Sequence, residues 1–352
     1  MKDRRPNPQP PHRRGPRPIS NPDVLRKPKA PIGNAQSAIG NPPPSPPSTH
    51  WGDVAEWYDG LVGEEGSEYH RQVVLPGAMR LLAPQPGQSV LDIACGQGVL
   101  CRLLARQGVQ ATGVDAAADL IRMAKDRNVQ LKKWAVGSGQ SAVEENKPAI
   151  SDPSSSLPTA DCPLPTYHTH DARDLSFLPE SAFDAAACLL AIQNIHPVGP
   201  VFQAVARVLR PMGRFVVVMM HPAFRNPKET HWGWDDKAKV QYRRVDKYLL
   251  PRKVPIVTHP GMGKDYTWTF HKPIEAYVKA ARNAGLLVDA LEEWPSHKTS
   301  TSGPRAPAEN TARSEIPMFL ALRGVKVAGY KPASEAAASA PGSDGGEGAD
   351  AG

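Results

Sequence analysis

Residues 90–98 have the sequence Val90-Leu91-Asp92-Ile93-Ala94-Cys95-Gly96-Gln97-Gly98, in which an apolar run passes directly into a turn with two glycines. The run predicts a buried strand over 89–93, and the apolar residues after the turn predict a helix over about 99–104. Glycine has no Cβ, so Gly96 and Gly98 let the backbone bend tightly and approach a ligand. In α/β sheets such turns lie at the carboxyl edge, where ligands bind. We therefore expect a nucleotide-like cofactor at this turn.

Strand and helix patterns alternate along the chain on both sides of the turn. Further strands are predicted at 109–114, 166–170, 183–189 and 214–220, and helices at 117–127 and 201–209. The second of these helices is expected to end at Arg210-Pro211-Met212-Gly213, where proline and glycine supply the break. Such alternation is typical of an α/β fold with a parallel sheet and crossover helices.

The glycine turn alone also fits a site for a nicotinamide dinucleotide. In that fingerprint a third small residue follows the second glycine, but here the position holds Cys101, and an acidic residue, Asp92, precedes the glycines. The run from Asp92 to Gly98 closely resembles motif I of the class I S-adenosylmethionine-dependent methyltransferases. The dinucleotide interpretation is therefore the weaker one.

Three later segments resemble landmarks of the same family, in the same order. Asp115 ends the second strand, where an acid accepts the ribose hydroxyls in this family, although aspartate there also suits a helix N-cap and both roles can coexist. Asp171 follows the third strand, where the family's aspartate receives the adenine amino group. The segment 208–215 resembles the turn before the fifth strand, with Met212 in place of the usual glycine. The resemblance covers about residues 51–326, with a late helix at 274–283 and final strands at 286–291 and 316–322.

The resemblance implies S-adenosyl-L-methionine as cofactor and a doubly wound, Rossmann-like α/β fold. The fold would have a seven-stranded, mostly parallel sheet with helices on both faces, an N-terminal helical lid and a cap insertion after the fifth strand. The residues expected to bind the cofactor are Tyr58, Asp92, Ala94, Gly96, Gly98, Asp115, Ala116, Asp171, Ala172 and Leu189.

Composition changes along the chain predict one catalytic domain over 51–330 with a tail at each end. Residues 1–50 are rich in proline and arginine and residues 331–352 are acidic and rich in alanine and glycine, so both are expected to be disordered. Within the domain, 132–164 lacks periodicity and predicts a surface insertion. Residues 222–272 hold eight Phe, Tyr and Trp side chains among charged residues and predict a cap over the substrate.

Net charge and cysteine usage narrow the class of protein. The chain has a formal net charge of +7, but its first fifty residues already hold nine basic and two acidic residues, so the rest is only mildly basic overall. We do not expect a nucleic-acid substrate. The four cysteines have no C-x-x-C spacing, which argues against a zinc site, and no metal is expected. Without a long apolar run we expect no membrane insertion and a cytoplasmic protein.

The methyl acceptor is predicted only as a small molecule, planar or partly apolar, whose O, N or C atom receives the methyl group. His221 and His196 follow the fifth and fourth strands and are candidate bases, because neutral imidazole is basic near physiological pH. Either could instead hydrogen-bond the loop backbone. The segments 54–59 and 67–71 resemble the N-terminal lid of small-molecule members of the family. In this lid, Tyr58 or Tyr69 is expected to touch the cofactor's carboxylate and His70 to lie near the acceptor, unless these side chains only pin the lid to the sheet.

Two other functions stay open from the sequence. The basic tail would suit an RNA methyltransferase, but the D/N-P-P-Y/F-like run common in base-nitrogen enzymes is replaced after the fourth strand by Leu189-Leu190-Ala191-Ile192-Gln193-Asn194. A catalytically silent scaffold that binds S-adenosylmethionine would keep the same glycines and aspartates. The oligomeric state is not predictable from these patterns.

Overall fold

The computed structural model describes residues 51–52, 54–138, 163–257 and 266–330. Both predicted tails, and the greater part of the insertion predicted at 132–164, lie outside the described residues. No helix in the described ranges is long and apolar enough to cross a membrane.

A seven-stranded sheet organises the described part of the chain. The helices are α1 (Ala55–Val62), α2 (Leu75–Leu82), α3 (Val99–Arg106), α4 (Ala118–Ser138), α5 (Gly199–Val208), α6 (Ile274–Asn283) and α7 (Ala306–Glu315). The strands are β1 (Ser89–Ile93), β2 (Gln110–Asp115), β3 (Thr166–Thr169), β4 (Phe183–Leu189), β5 (Leu209–Met220), β6 (Thr230–Asp235), β7 (Val240–Val245), β8 (Arg252–Val257), β9 (Tyr266–His271), β10 (Leu286–Trp294) and β11 (Phe319–Lys326).

The sheet order is β10-β11-β5-β4-β1-β2-β3, and the chain reverses its winding direction beside β1. The pairs from β5 to β3 are all parallel, whereas β11 is antiparallel to both β5 and β10. The carboxyl ends of β1, β2, β3, β4 and β5 therefore meet along one edge. The predicted doubly wound α/β fold with a mostly parallel sheet is confirmed.

The two faces of the sheet carry separate hydrophobic clusters. In β4, Ala186 and Cys188 pack on the face covered by α5 and α6, while Ala185 and Ala187 pack on the face covered by α2 and α3. Strands that are buried on both faces are typical of parallel sheets. Fully buried Leu91 alone is expected to contribute about 1.5–3 kcal/mol. The rigid centre of the sheet fixes the loops at its carboxyl edge.

Several element boundaries differ from the sequence prediction, and two of them differ most. Helix α4 runs to Ser138, into the segment predicted as an insertion from residue 132, because no glycine or proline interrupts the chain before Gly137. Strand β5 begins at Leu209 rather than at Arg214. Its register to β4 shifts between Leu209 and Arg214, so the predicted turn is a bulge within the strand, with Met212 left-handed at φ +64°.

The segment predicted as a cap, 222–272, contains two antiparallel ribbons. One pairs β6 with β7 and the other pairs β8 with β9. In β9 the buried residues alternate, so Thr267, Thr269 and His271 share the inward face. The hydroxyl of Thr269 donates to the carbonyl of Gln193 at 3.3 Å, which fixes this ribbon on the loop after β4.

Candidate cofactor and acceptor site

The glycine turn after β1 is held by the carboxylate of Asp115. The backbone N–H of Gly96 donates to Oδ2 of Asp115 at 2.9 Å, and the N–H of Ala117 donates to Oδ1 at 2.8 Å. The second contact belongs to the start of α4 and resembles an N-cap. Burial raises the pKa of Asp115, while the backbone N–H groups, including that of Ala116, lower it. Asp115 thus connects the ends of β1 and β2 and also orients the turn.

Left-handed backbone conformations explain the residues of the turn. Ala94, Gly96 and Gly98 have φ values of +54°, +54° and +81°. A Cβ on Gly98 would lie 2.4 Å from the hydroxyl oxygen of Tyr167, and one on Gly113 would lie 2.7 Å from the Sγ of Cys95. Contacts this short are repulsive, so glycine is required at both positions.

Asp92 lies beneath the turn and is 3% exposed. Its Oδ2 accepts a hydrogen bond from the Cys101 thiol at 3.6 Å. Burial raises the pKa of Asp92 to about 7, the Cys101 bond opposes this shift, and the charge of Asp115 adds to it. Asp92 and Asp115 are therefore close in space but differ in their hydrogen-bond partners.

Helix α1 covers the turn from above. The ring of Tyr58 lies 3.4 Å from where a Cβ on Gly96 would be, and it packs edge-on against Trp51 at 5.4 Å. Burial, together with the charges of Asp115 and Asp92, raises the pKa of Tyr58. Asp59 of the same helix forms a 2.7 Å ion pair with Arg127 of α4. The structure therefore brings Tyr58 to the predicted cofactor turn.

Arg102 and Gln97 connect the lid to the glycine turn, and sequence reasoning missed both. Arg102 is 5% exposed and donates to the carbonyls of Gln97 and Glu64, the latter at 2.6 Å. The amide of Gln97 donates to the carbonyl of Gly63 at 3.4 Å. A lone arginine within the apolar run of α3 was the available signal, because a charged residue is seldom buried without partners.

Asp171 lies at the end of β3 beside Ala172, which is buried. The guanidinium of Arg173 donates hydrogen bonds of 2.6 to 3.1 Å to the Asp171 carboxylate. The carboxylate also accepts the backbone N–H of Arg173 at 2.8 Å. Burial raises the pKa of Asp171, but the bonds from Arg173 outweigh it and the net shift is downward. Arg173 also donates to the carbonyl of His196 at 2.9 Å, so it joins the loops after β3 and β4.

The end of β4 is followed by a sharp turn. Leu189 is half-buried and Leu190 is left-handed at φ +56°. His196 is exposed and stacks on Phe270 of β9 with ring centroids 5.0 Å apart. Partial burial and then the charge of Lys272 lower the pKa of His196, so its imidazole is neutral at pH 7.

His221 follows β5 and is 1% exposed. Its Nδ1 accepts the backbone N–H groups of Ala223 at 3.2 Å and Phe224 at 3.4 Å, so Nε2 holds the proton and donates to Glu293 at 2.7 Å. Both ring nitrogens are therefore engaged. This arrangement favours the alternative in which His221 orders its loop, and its role as a base stays an untested prediction.

The side chains of Tyr69 and His70, the two other predicted lid residues, have different surroundings. His70 belongs to a π-helical turn, His70–Val74, and its Nδ1 contacts the hydroxyl of Ser67 at 2.8 Å. Burial lowers the pKa of His70 to about 4. Tyr69 instead packs edge-on against Phe319 and His297, at the end of the sheet near β10. Tyr58, and not Tyr69, therefore lies at the glycine turn.

Cys95, Cys101 and Cys188 are buried free thiols, and Cys162 lies outside the described residues. Within the described ranges, no group of three or more His, Cys, Asp or Glu side chains is placed to hold a metal ion.

A family profile described as a methyltransferase domain matches residues 67–248, just over half of the chain. The chain belongs to this methyltransferase family. The matched region includes the glycine turn, Asp115, Asp171 and the end of β5. The resemblance to class I S-adenosylmethionine-dependent methyltransferases that begins at Asp92 is thus confirmed at the level of the family.

Two relatives and one solved structure illustrate the similarity. A demethylmenaquinone methyltransferase of Tropheryma whipplei is 24% identical over 191 residues, covering 54% of this chain and 61% of the relative. A 2-phytyl-1,4-naphtoquinone methyltransferase of Synechococcus elongatus is 29% identical over 253 residues, covering 71% of this chain and 90% of the relative. An S-adenosylmethionine-dependent methyltransferase of Mesorhizobium loti, of known crystal structure, has a TM-score of 0.50 at 22% identity and covers 71% of this chain and 96% of that chain. This last likeness supports the fold alone.

Proposed function

We propose that the chain transfers a methyl group from S-adenosyl-L-methionine to an O, N or C atom of a small-molecule acceptor. The observation that carries the proposal is the glycine turn, whose left-handed residues lie between Asp92, Asp115 and Tyr58 at the carboxyl edge of the sheet. Family membership supports methyl transfer. Relatives named as acting on quinone precursors support a planar, partly apolar acceptor.

The residues present fit the cofactor. Gly96 and Gly98 keep the turn free of Cβ atoms where a ligand would approach. Each carboxylate oxygen of Asp115 accepts a backbone N–H, from Gly96 or Ala117, and the carboxylate has about four lone-pair sites, so it can also accept a ribose hydroxyl. When bound, the cofactor supplies a methyl group on a positively charged sulfur. The chain's part is to hold the acceptor in line with that methyl group and to exclude water, which accounts for most of the rate in such reactions.

A base is needed where the acceptor is a hydroxyl or phenol. His196 is our first candidate, because its ring is exposed, neutral at pH 7 and placed between the loop after β4 and the β8–β9 ribbon. His70 is a second candidate, since only its Nδ1 has a partner among the described residues. His221 is assigned to ordering the loop after β5.

The test is calorimetric titration with S-adenosylmethionine and S-adenosylhomocysteine. We expect micromolar binding to the wild type and a loss of about tenfold or more in Asp115→Asn, since one carboxylate oxygen is replaced by a donor. The matched control is Asp119→Asn, which lies on the same helix start but is exposed and contacts only Arg122 among the described residues. Equal binding by both variants would place the cofactor elsewhere. No binding by the wild type would overturn the proposal.

A further inference from the structure

Arg225 occupies the loop that leaves β5 at the carboxyl edge of the sheet. Its backbone N–H donates to the carbonyl of His221 at 2.7 Å. Its guanidinium lies 5.4 Å from the centre of the Trp232 ring, and that of Arg243 lies 5.0 Å from the same ring. Trp232 and Arg243 are cross-strand neighbours in the β6–β7 ribbon. Two cations are therefore grouped around one indole at the base of the predicted cap.

Neither arginine has a carboxylate partner among the residues that the structure describes. Arg243 donates only to neutral oxygens: the carbonyl of Phe224 at 2.9 Å, and the hydroxyl and carbonyl of Thr230. The Nε of Arg225 is buried, and in the described ranges it has no hydrogen-bond partner. Burial lowers the pKa of Arg225, and burial together with the charge of Arg225 lowers that of Arg243 to about 10. The cluster thus carries an uncompensated positive charge, which is costly away from water.

Asn226, the next residue, adds a second unused polar group. Its side chain is 1% exposed, and neither its amide nitrogen nor its amide oxygen has a partner in the described part of the chain. Buried polar atoms in folded proteins are almost always hydrogen-bonded to protein, water or ligand. An unused amide donor on the residue that follows Arg225 is suited, together with the guanidinium, to an anion.

Arg225 lies near Tyr69 as well as near the β6–β7 ribbon. Tyr69 lies near Arg225, where its charge partly opposes the lowering of the Arg225 pKa by burial. The Tyr69 ring also packs on Phe319, which pairs with Met220 at the end of β5. The Arg225 side therefore lies between the lid and the β6–β7 ribbon, at the end of the sheet away from Asp115. The loop follows the carboxyl end of β5, at the edge of the sheet where α/β folds bind ligands.

We propose that Arg225 and Asn226 bind an anionic group, a carboxylate or a phosphate, on the methyl acceptor. This inference rests on the proposed function, because it assigns the substrate class of the same site. The anion would neutralise the Arg225–Arg243 pair and use the free Nε and amide donors. A planar acceptor would then be fixed at its charged end while the atom to be methylated points toward the glycine turn.

The experiment uses the full chain loaded with S-adenosylhomocysteine and three probes: inorganic phosphate, 4-hydroxybenzoate and the neutral 4-hydroxybenzamide. Calorimetry is expected to detect one of the two anions at an affinity about tenfold or more above that of the amide. Binding of 4-hydroxybenzoate alone identifies a carboxylate, and binding of phosphate alone identifies a phosphate. Arg225→Gln should abolish the preference and Arg225→Lys, which keeps the charge, should retain part of it.

Arg244→Gln is the matched control, because Arg244 is exposed on the same strand as Arg243 and pairs with Asp246 at 2.8 Å. It should leave the preference for anions unchanged. Lack of anion binding by the wild type, or equal binding by Arg225→Gln, would overturn the inference, while retained S-adenosylhomocysteine binding would leave the proposed function intact. A weaker affinity of Arg225→Gln for S-adenosylhomocysteine itself would assign this arginine to the cofactor's carboxylate and would also refute the inference.

Discussion

Substituting Gly98 by alanine tests whether the glycine turn is required for steric reasons. Gly98 has φ +81°, and an alanine in the left-handed region costs about 1–2 kcal/mol, of which about 0.4–1 kcal/mol is offset because alanine restricts the unfolded chain. The new Cβ would also lie 2.4 Å from the hydroxyl oxygen of Tyr167 and 2.8 Å from two ring carbons. Such overpacking costs about 1–3 kcal/mol, so Gly98→Ala should lower the free energy of unfolding by about 1–4.5 kcal/mol.

Gly87→Ala separates the cost of the left-handed backbone from the cost of the clash with Tyr167. Gly87 has nearly the same φ, +83°, but a Cβ there would have no atom within 4 Å. Urea unfolding should give a loss of about 1 kcal/mol for Gly87→Ala, with unchanged affinity for S-adenosylhomocysteine. Gly98→Ala should lose both stability and cofactor affinity, since relieving the clash moves the turn or Tyr167. If the two variants lose equal stability, Tyr167 does not constrain the turn and the steric explanation is wrong.

Three further predictions concern a strained bulge, the lid and a buried histidine. Met212→Gly should raise the free energy of unfolding by about 0.5–1 kcal/mol in urea, since Met212 is exposed at φ +64°, whereas Met212→Ala keeps the strain and should gain nothing. Arg102→Met removes the hydrogen bonds to the carbonyls of Gln97 and Glu64. Amide hydrogen exchange over 63–66 should become faster and S-adenosylhomocysteine should bind more weakly. Unchanged exchange would show that Arg102 does not hold this segment on the glycine turn. Burial lowers the pKa of His70 from 6.5 to about 4, so between these pH values the unfolded chain takes up a proton that the folded chain does not. The free energy of unfolding should therefore fall by up to about 3 kcal/mol as the pH drops from 6.5 to 4. His70→Gln should remove that part of the pH dependence, measured by urea unfolding.

The elements at the centre of the sheet were predictable because periodicity and breakers agree there. The predicted bounds of β1, β4 and α6 match the structure at both ends. Strand β1 lies between Gly87 and Gly96, and α6 lies between Pro273 and Gly285, whereas β4 is recognisable from its apolar run alone. Helix α7 was not predicted, because its sequence is polar and Ala312 is its one buried residue among those described. Sequence patterns detect burial, so an exposed helix leaves little signal.

The cofactor side of the site was more predictable than its hydrogen bonding. The glycines and aspartates required by the turn were identified in order, and the structure brings Asp92, Asp115 and Tyr58 together. The engagement of Asp171 by Arg173, and of both nitrogens of His221 by its loop and Glu293, depends on side-chain directions that no spacing rule supplies. Arg102 was missed for the same reason. The position of Arg102 in α3 predicts which face of the helix its side chain occupies, but it does not predict which backbone carbonyls the guanidinium reaches.

The two sides of the site are stabilised by different means, and this has a consequence for substitutions. On the cofactor side, backbone N–H groups and glycine sterics fix the turn, so a change at Gly98 or Asp115 alters the fold and the binding together. On the acceptor side, Arg225 and Asn226 extend from a loop, and the buried polar atoms there have no partners among the described residues. Removing the Arg225 guanidinium loses its contact with the Trp232 ring but leaves no hydrogen-bonded group unpaired among the described residues, so it costs the folded state little. Arg225 variants should therefore keep most of their stability and their cofactor affinity while losing the preference for anions.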